Sequence, residues 1–181
     1  MVVAHPVEPM RRSDAGAVLS LYRRVFPVTP GQVAHLLERL PRCHGLVARA
    51  ESELAGFATW VPLSAGHRRS LEKAWRTAND SRASGARVLA LDAARPFAGG
   101  ELYLSELAVA PAHRRRGLGR ALVHRVMVHA RLCAASSVVV ECWDGGVAAA
   151  LYESFGFVPL LHREAYHSDG SGSTVMVRPL R

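Results

Sequence analysis

The 181-residue sequence is poor in lysine, cysteine and aromatic residues. Lysine occurs once, at Lys73, so arginine supplies nearly all of the 23 basic residues. Three cysteines, Cys43, Cys133 and Cys142, are an odd number without metal-ligand spacing, which favours reduced thiols. No apolar run approaches the length that spans a membrane. These shortages argue against a disulfide scaffold, a cysteine-rich metal domain and a membrane-spanning protein.

The first twelve residues, MVVAHPVEPMRR, lack the charged start and continuous apolar core of a signal peptide. We therefore expect a cytoplasmic protein with no membrane partner. The net charge of +8 favours an anionic partner such as nucleic acid, a membrane surface or a phosphorylated cofactor. Nucleic acid is not expected, because no aromatic residues are interleaved with the basic runs at Arg68–Arg69 and Arg114–Arg116.

The most informative stretch is Glu101–Ala121, ELYLSELAVAPAHRRRGLGRA, which predicts a strand, a turn and the start of a helix. Pro111 ends the strand, and Arg114–Gly119 leads into a long helical pattern. A helix N-terminus offers unpaired N–H groups and a partial positive charge, so it suits an anion such as phosphate. Gly117 and Gly119 remove side chains that would keep a pyrophosphate from the backbone.

Two common nucleotide-binding loops do not fit this stretch. A P-loop needs Gly-x-x-x-x-Gly-Lys-Ser/Thr, and no lysine follows these glycines. A dinucleotide-binding loop needs a third glycine three residues past Gly119, where Leu122 stands. The stretch therefore predicts a phosphate-binding turn of another type.

Two motifs resemble those of the GNAT superfamily of N-acetyltransferases. The first is Leu107-x-Val109-x-Pro111 followed by Arg114-x-x-Gly117-x-Gly119, which is similar to the family's acetyl-CoA motif. The second is Leu151–Phe157, LYESFGF, which is similar to the Leu-Tyr-x-x-x-Gly-Phe signature near the family's C-terminus. Their order and separation make the match specific, and it covers most of the chain, weakly at 62–100.

The resemblance implies how acetyl-CoA is bound. Backbone groups around Leu107–Val109 would pair with the pantetheine arm and the acetyl carbonyl, and N–H groups from Arg115 to Arg120 would hold the pyrophosphate. The arginines at 114–116 would add charge-assisted contacts. The cofactor-binding residues that it implies are Leu107, Ala108, Val109, Arg114, Arg115, Arg116, Gly117, Leu118, Gly119 and Arg120.

The resemblance also implies the catalytic residues. Tyr152 matches the motif tyrosine, and a phenol can give a proton to the departing thiolate. Glu106 lies where relatives often carry an acidic residue, so it is the candidate general base. Strand alternation places Glu106 on the face opposite Leu107 and Val109, unless a bulge intervenes.

Other residues remain open for the same chemistry. The alternative bases are Glu101, Tyr103, Ser105 and Glu141. Cys142 is a conceivable nucleophile, although we expect direct attack by the amine.

The sequence departs from the family pattern at one position. Many relatives carry an asparagine seven residues before the motif tyrosine, where Gly145 stands here, with Asp144 beside it as a partial replacement.

The rest of the chain predicts an α/β domain. A strand at 7–10 precedes a helix capped by Ser13 or Asp14 and a second helix opened by Thr29-Pro30-Gly31-Gln32. A hairpin at 45–61, a helix from 117 to about 133 and a strand at 137–143 follow. Asp144 is expected to cap the next helix, and strands at 157–167 and 173–180 form a final pair. The apolar faces of the predicted helices are expected to include Tyr22, Leu118, Leu122, Leu132 and Val147.

The stretch at 62–100 is the least regular, with a short helix at 70–78 and a short strand at 88–91 expected. We interpret it as an insertion into a single GNAT-like domain over 1–181, and it is a candidate to select the acceptor. The resemblance implies a mixed, mostly antiparallel sheet flanked by helices, in which the fourth and fifth strands splay to admit the pantetheine arm.

The leading hypothesis is an acetyl-CoA-dependent N-acetyltransferase acting on a primary amine of a small molecule, protein or peptide. The alternative is a non-catalytic acyl-CoA-binding sensor or interaction domain. Acetyl-CoA and an amine acceptor are the expected partners, no metal is expected, and a homodimer is left open.

Overall fold

The computed structural model describes residues 6–26, 28–51, 53–70, 86–88, 99–144, 146–164 and 170–180. Its strands are β1 Val7–Pro9, β2 His44–Ala50, β3 Glu53–Pro62, β4 Ala86–Val88, β5 Leu102–Val109, β6 Ser137–Trp143, β7 Val158–Arg163 and β8 Ser173–Pro179. Its α-helices with defined bounds are α1 Ala15–Val25, α2 Pro30–Arg39, α3 Leu118–Leu132 and α4 Ala148–Glu153. Short 3₁₀ turns lie at Arg12–Asp14, Leu40–Arg42 and Pro111–His113.

The chain divides into two compact units, each made of two sequence segments. The first unit contains Met1–Val61 and Leu104–His129. The second contains Pro62–Tyr103 and Ala130–Arg181.

Helix α2 begins as the sequence predicts. The Thr29 hydroxyl accepts a hydrogen bond from the Gln32 N–H, and the Gln32 side-chain oxygen accepts one from the Thr29 N–H at 2.7 Å. Pro30 occupies the first helical position, where its missing N–H costs nothing. Asp14 precedes α1 but its side chain makes no capping bond to that helix. Its Oδ2 accepts a hydrogen bond from the Arg11 N–H at 2.7 Å, at the start of the 3₁₀ turn, and its Oδ1 pairs with Arg49. The prediction that the Asp14 side chain caps α1 is therefore wrong.

The first unit contains the strand order β1-β2-β3-β5. β1 and β3 both run antiparallel to β2, and the hydrogen bond from the Ala110 N–H to the Ala55 carbonyl joins the ends of β5 and β3. Phe57 is fully buried within a core cluster that also contains side chains of α1 and α2. That cluster consists of Val18, Leu21, Tyr22, Val33, Leu36, Leu40, Val47, Leu54, Phe57, Ala108 and Ala110.

Helix α3 packs on the opposite face of these strands, since Gly56 is next to Phe57 and alternate residues point to opposite faces. A Cβ at Gly56 would lie 2.9 Å from the Ala108 carbonyl oxygen and 3.3 Å from Leu122 Cδ1. Leu118 and Leu122 are buried as expected, but Leu132 is 81% exposed. Its assignment to the apolar face of α3 is wrong, because it lies at the end of the helix.

The second unit contains the strand order β6-β8-β7-β4. β8 runs antiparallel to both β6 and β7, and β4 pairs with β7. The predicted strand at 137–143 and the predicted final antiparallel pair are both present. Val147 precedes α4 and is 86% exposed, so its predicted apolar role and the predicted Asp144 cap are both wrong.

The irregular stretch lies largely outside the described residues. Helical conformation begins at residue 65 and is described to residue 70, which is earlier than the predicted start. β4 overlaps the start of the predicted strand at 88–91, and residues 71–85 and 89–98 lie outside the described part. In the portion that the structure describes, none of the helices has the length and apolar character required to cross a bilayer.

Candidate active site

Glu106 lines a cleft of about 350 Å³ in the first unit, where β5 meets α1 and α2. Ala108 in β5 and Ala110 just after it belong to the core cluster with those helices. Val109 instead has its Cγ2 beside Gly56, on the α3 face. Glu106 therefore faces away from Val109, as alternation predicts. The cleft is lined by Tyr22, Thr29, Gly31, Gln32, His35, Leu36, Arg39 and Glu106.

Burial raises the pKa of Glu106 from 4.5 to about 7. The low-dielectric surroundings penalise the carboxylate more than the neutral acid. The positive charge of Arg39 acts in the opposite direction and limits the rise. A carboxyl group with a pKa near the working pH is suited to general base catalysis, because it is partly ionised and can still accept a proton.

Arg39 and Tyr22 surround this carboxyl group. Burial and, to a smaller extent, the charge of Glu106 raise the pKa of Tyr22 to about 12, so the phenol stays neutral. Arg39 hydrogen-bonds the thiol of Cys43, while its Nη2 is buried without a hydrogen-bond partner in the part of the chain that the structure describes. Burial raises the pKa of Cys43, so this thiol also stays neutral.

The predicted phosphate-binding turn also lies in the first unit. Arg114–Gly117 is exposed between the 3₁₀ turn and α3. Arg115 has φ +61° and Gly117 has φ +83°, and a Cβ built at Gly117 would have no atom within 4 Å. The Ala121 N–H makes the first helical bond, to the Gly117 carbonyl, so the N–H groups of Leu118 and Gly119 precede the helical ladder.

This turn fits an anionic group such as the pyrophosphate of acetyl-CoA. Left-handed residues in a turn can bring successive N–H groups to one side. Arg115 and Gly117 are such residues, and the space beside Gly117 is open. The Arg114 Nε donates to the Val109 carbonyl at 3.1 Å, which fixes its side chain against the end of β5. Arg115 and Arg116 are exposed, where their charge would attract an anion.

Tyr152 lies in the second unit, in the last turn of α4. Its side chain is 3% exposed, and its ring centroid lies 5.4 Å from that of Phe157. The Tyr152 carbonyl accepts hydrogen bonds from the N–H groups of Phe155 and Phe157, and Gly156 adopts φ +77°. The Leu151–Phe157 motif thus ends a helix tightly and fixes the tyrosine.

Two of the alternative bases are held in ion pairs of the second unit. Glu101 is buried, and its carboxylate accepts hydrogen bonds from Arg68 Nε at 3.1 Å and from the Gly99 N–H at 2.6 Å. Glu141 pairs with Arg163 at 2.5 Å and lies 3.2 Å from the His67 ring. Burial alone would raise the pKa of Glu141, but the His67 hydrogen bond and the Arg163 charge outweigh it and lower the pKa.

The neutral alternatives also have partners. The Ser105 hydroxyl donates to the Thr59 carbonyl at 3.0 Å. Tyr103 stands edge-on to the His67 ring at 4.6 Å between centroids. Glu106 is therefore the one of these candidates whose proton affinity and exposure to a cleft both suit a base.

The surroundings of Cys142 and Asp144 do not suit a catalytic role either. Burial, reinforced by nearby carboxylates, raises the pKa of Cys142 to about 12, so a thiolate nucleophile is unfavourable. Asp144 Oδ1 accepts a hydrogen bond from the Thr174 hydroxyl at 3.4 Å, and its Oδ2 lies 3.5 Å from His162 Nε2. Gly145 itself lies outside the described residues.

The sequence reasoning missed the α2 side of the cleft. Gly31, His35 and Arg39 lie four residues apart along α2 and form a polar stripe beside its apolar face. For Tyr22 the sequence pattern indicates only a position on the apolar face of α1. A polar stripe of this kind usually faces solvent, so spacing alone could not separate a cleft lining from a surface.

These features define a class of protein: α/β, with a mostly antiparallel sheet flanked by helices and an arginine–glycine turn that opens a helix. The chain belongs to the acetyltransferase (GNAT) family, whose model matches residues 16–157. Solved N-acetyltransferase structures share the fold, as the resemblance implied, and the family identifies the chain as an acetyltransferase.

Three of these solved structures illustrate the likeness. The ribosomal-protein-S18-alanine N-acetyltransferase of Escherichia coli is 22% identical, with 97% of this chain and 93% of that chain covered and a TM-score of 0.66. Ard1 of Thermoplasma volcanium is 20% identical, with 99% of each chain covered and a TM-score of 0.69. NAA60 of Arabidopsis thaliana, solved with a bisubstrate analogue, is 17% identical over 96% of this chain and 97% of that chain, with a TM-score of 0.70.

Proposed function

We propose that the protein transfers an acetyl group from acetyl-CoA to a primary amine by direct attack, in the cytoplasm. The observation that carries this proposal is Glu106, a carboxyl group with a pKa of about 7 that lines a cleft. The family match supports it, and its span includes residues of both units, in keeping with one catalytic domain.

The turn at Arg114–Arg120 is proposed to hold the cofactor. Its N–H groups would bind the pyrophosphate, with Arg115 and Arg116 adding charge, and Leu107–Val109 would pair with the pantetheine arm. When bound, acetyl-CoA supplies an acetyl thioester, whose C–S bond breaks as the acceptor nitrogen forms a C–N bond.

Two residues are proposed to move the protons. Glu106 would accept the proton that the acceptor nitrogen loses, directly or through water. Tyr152 would give a proton to the departing sulfur and regain one from solvent. Its burial in the helix end supports a fixed phenol rather than a mobile one.

The alternative, a non-catalytic acyl-CoA-binding domain, needs the phosphate-binding turn but not Glu106. A desolvated carboxyl group in a cleft is costly to keep, and a sensor has no use for it. Glu106 therefore favours the enzyme.

A thiol-release assay with acetyl-CoA over a panel of amines, peptides and drugs tests the proposal. At least one amine should release coenzyme A faster than water does, and Glu106→Gln should lose most of that rate. Tight acetyl-CoA binding without release on any amine would favour the sensor.

A further inference from the structure

Arg39 brings a positively charged guanidinium group to the lining of the cleft. It lies at the end of α2, lines the cleft and is partly buried. One edge of its guanidinium bonds Cys43, and Nη2, which is buried, has no hydrogen-bond partner among the described residues. A buried charged donor without an acceptor is unfavourable, so such groups usually obtain one from a ligand or water.

The cleft also carries two opposite charges. Glu106 can hold a negative charge, and Arg39 is close enough to influence the proton affinity of Glu106. Among the lining residues no second carboxylate is present. A ligand that matches this pattern has one positive and one negative group near each other.

The dimensions limit the ligand to a small molecule. A volume of about 350 Å³ is at the lower end of the range for small-molecule sites. The ring of Tyr22 and the side chain of Leu36 supply apolar walls between the polar groups.

We propose that the acceptor is a small zwitterionic amine of the amino-acid type, whose carboxylate is bound by Arg39 while its amino group faces Glu106. This inference rests on the proposed function, because it places the acceptor at the same cleft. It names the substrate class that the sequence left open.

Other amines match the cleft less well. A polyamine or aminoglycoside would place a second ammonium near Arg39, where like charges repel. A peptide N-terminus would offer Arg39 a neutral carbonyl. A free carboxylate adds the attraction of opposite charges and can accept two parallel hydrogen bonds from a guanidinium, neither of which a neutral carbonyl supplies.

Calorimetric titration tests the inference without requiring catalysis. The probes are L-amino acids with uncharged side chains, each compared with its primary amide and its decarboxylated amine, with and without coenzyme A. The wild-type protein should bind at least one free acid about 10- to 100-fold more tightly than its amide, as expected for a charged hydrogen bond.

Two variants and one control locate the effect. Arg39→Gln should remove the acid-over-amide preference, and Arg39→Lys, which keeps the charge, should retain part of it. Arg42→Gln, an exposed arginine one turn further along, should leave the preference unchanged. Circular dichroism melting of each variant verifies folding.

The results separate this inference from the proposed function. The zwitterion inference would be overturned if no acid binds more tightly than its amide, or if no probe binds at all. It would also be overturned if the preference for the acid survives Arg39→Gln. Thiol release with the same probes then tests catalysis. Acetyl transfer without a preference for the acid would support the proposed enzymatic function and contradict the zwitterion inference. Arg39-dependent binding of the acid without acetyl transfer would support the zwitterion inference and contradict the proposed function.

Discussion

Replacing Glu106 by Gln removes a titrating group from the cleft while nearly preserving its shape. With a pKa of about 7, about a tenth of the Glu106 side chains are ionised at about pH 6 and about nine tenths at about pH 8. An ordinary carboxyl group would be ionised throughout. The ratio of wild-type to Glu106→Gln kcat/KM should therefore rise about tenfold over that interval, toward the 10²–10⁴ range, roughly, of a positioned base.

The assay is thiol release at subsaturating acceptor from about pH 5.5 to about pH 8.5. The ratio of the two proteins cancels the titration of the acceptor amine, which is common to both. Glu38→Gln, on an exposed position of the same helix as Arg39, is the matched control and should keep the wild-type profile. A ratio that stays constant with pH would refute Glu106 as the base.

The same substitution should change stability with pH. Because folding raises the pKa of Glu106, its stabilising contribution is fully present below about 4.5 and is lost as pH rises through about 7. The rise in the pKa of Glu106 corresponds to about 3 kcal/mol in the free energy of ionising its side chain. Relative to wild type, Glu106→Gln should therefore gain about 3 kcal/mol in the free energy of unfolding between about pH 4 and about pH 8. Urea unfolding at both pH values measures this, and an unchanged difference would contradict the burial argument.

Three further substitutions test the other parts of the site. Gly119→Val should abolish acetyl-CoA binding in calorimetry, because the valine side chain would fill the space of the phosphates. The control is Gly16→Val, at a glycine of α1 with open surroundings, which should leave binding unchanged. Equal acetyl-CoA affinities of the two variants would reject the turn as the cofactor site. Tyr152→Phe should lower kcat about 10²–10⁴-fold with little change in acetyl-CoA affinity, and near-parental turnover would reduce the tyrosine to a packing residue. Glu141→Gln should cost about 3–5 kcal/mol in urea unfolding because it removes the carboxylate charge that pairs with Arg163 in a buried ion pair. Because folding lowers the pKa of Glu141, this loss should shrink as the pH falls through the lowered pKa.

Features set by neighbouring residues could be predicted from the sequence. The capping box of Thr29 and Gln32 depends on a spacing of three residues, so it is visible without knowledge of the fold. The turn before α3 and the facing of Glu106 follow from glycine positions and strand alternation. The roles of Tyr152 and the cofactor turn came from the family resemblance, and they stay predictions.

Features that depend on distant packing could not be predicted. Leu132 and Val147 fit an apolar pattern, but each lies at a helix end and is exposed. Arg39 and Tyr22 line the cleft only because α1 and α2 pack beside β5, some seventy residues further along the chain. A single-sequence pattern carries no information on that contact.

The position of β8 has a consequence for how the protein is made. β8 lies between β6 and β7, so these strands have no common neighbour until Pro179 has left the ribosome. The first unit, by contrast, contains no residue after His129. During synthesis the nascent chain therefore presents the apolar strands Val138–Val140 and Leu160–Leu161 before their cover exists, which is the interval in which chaperones would be needed most.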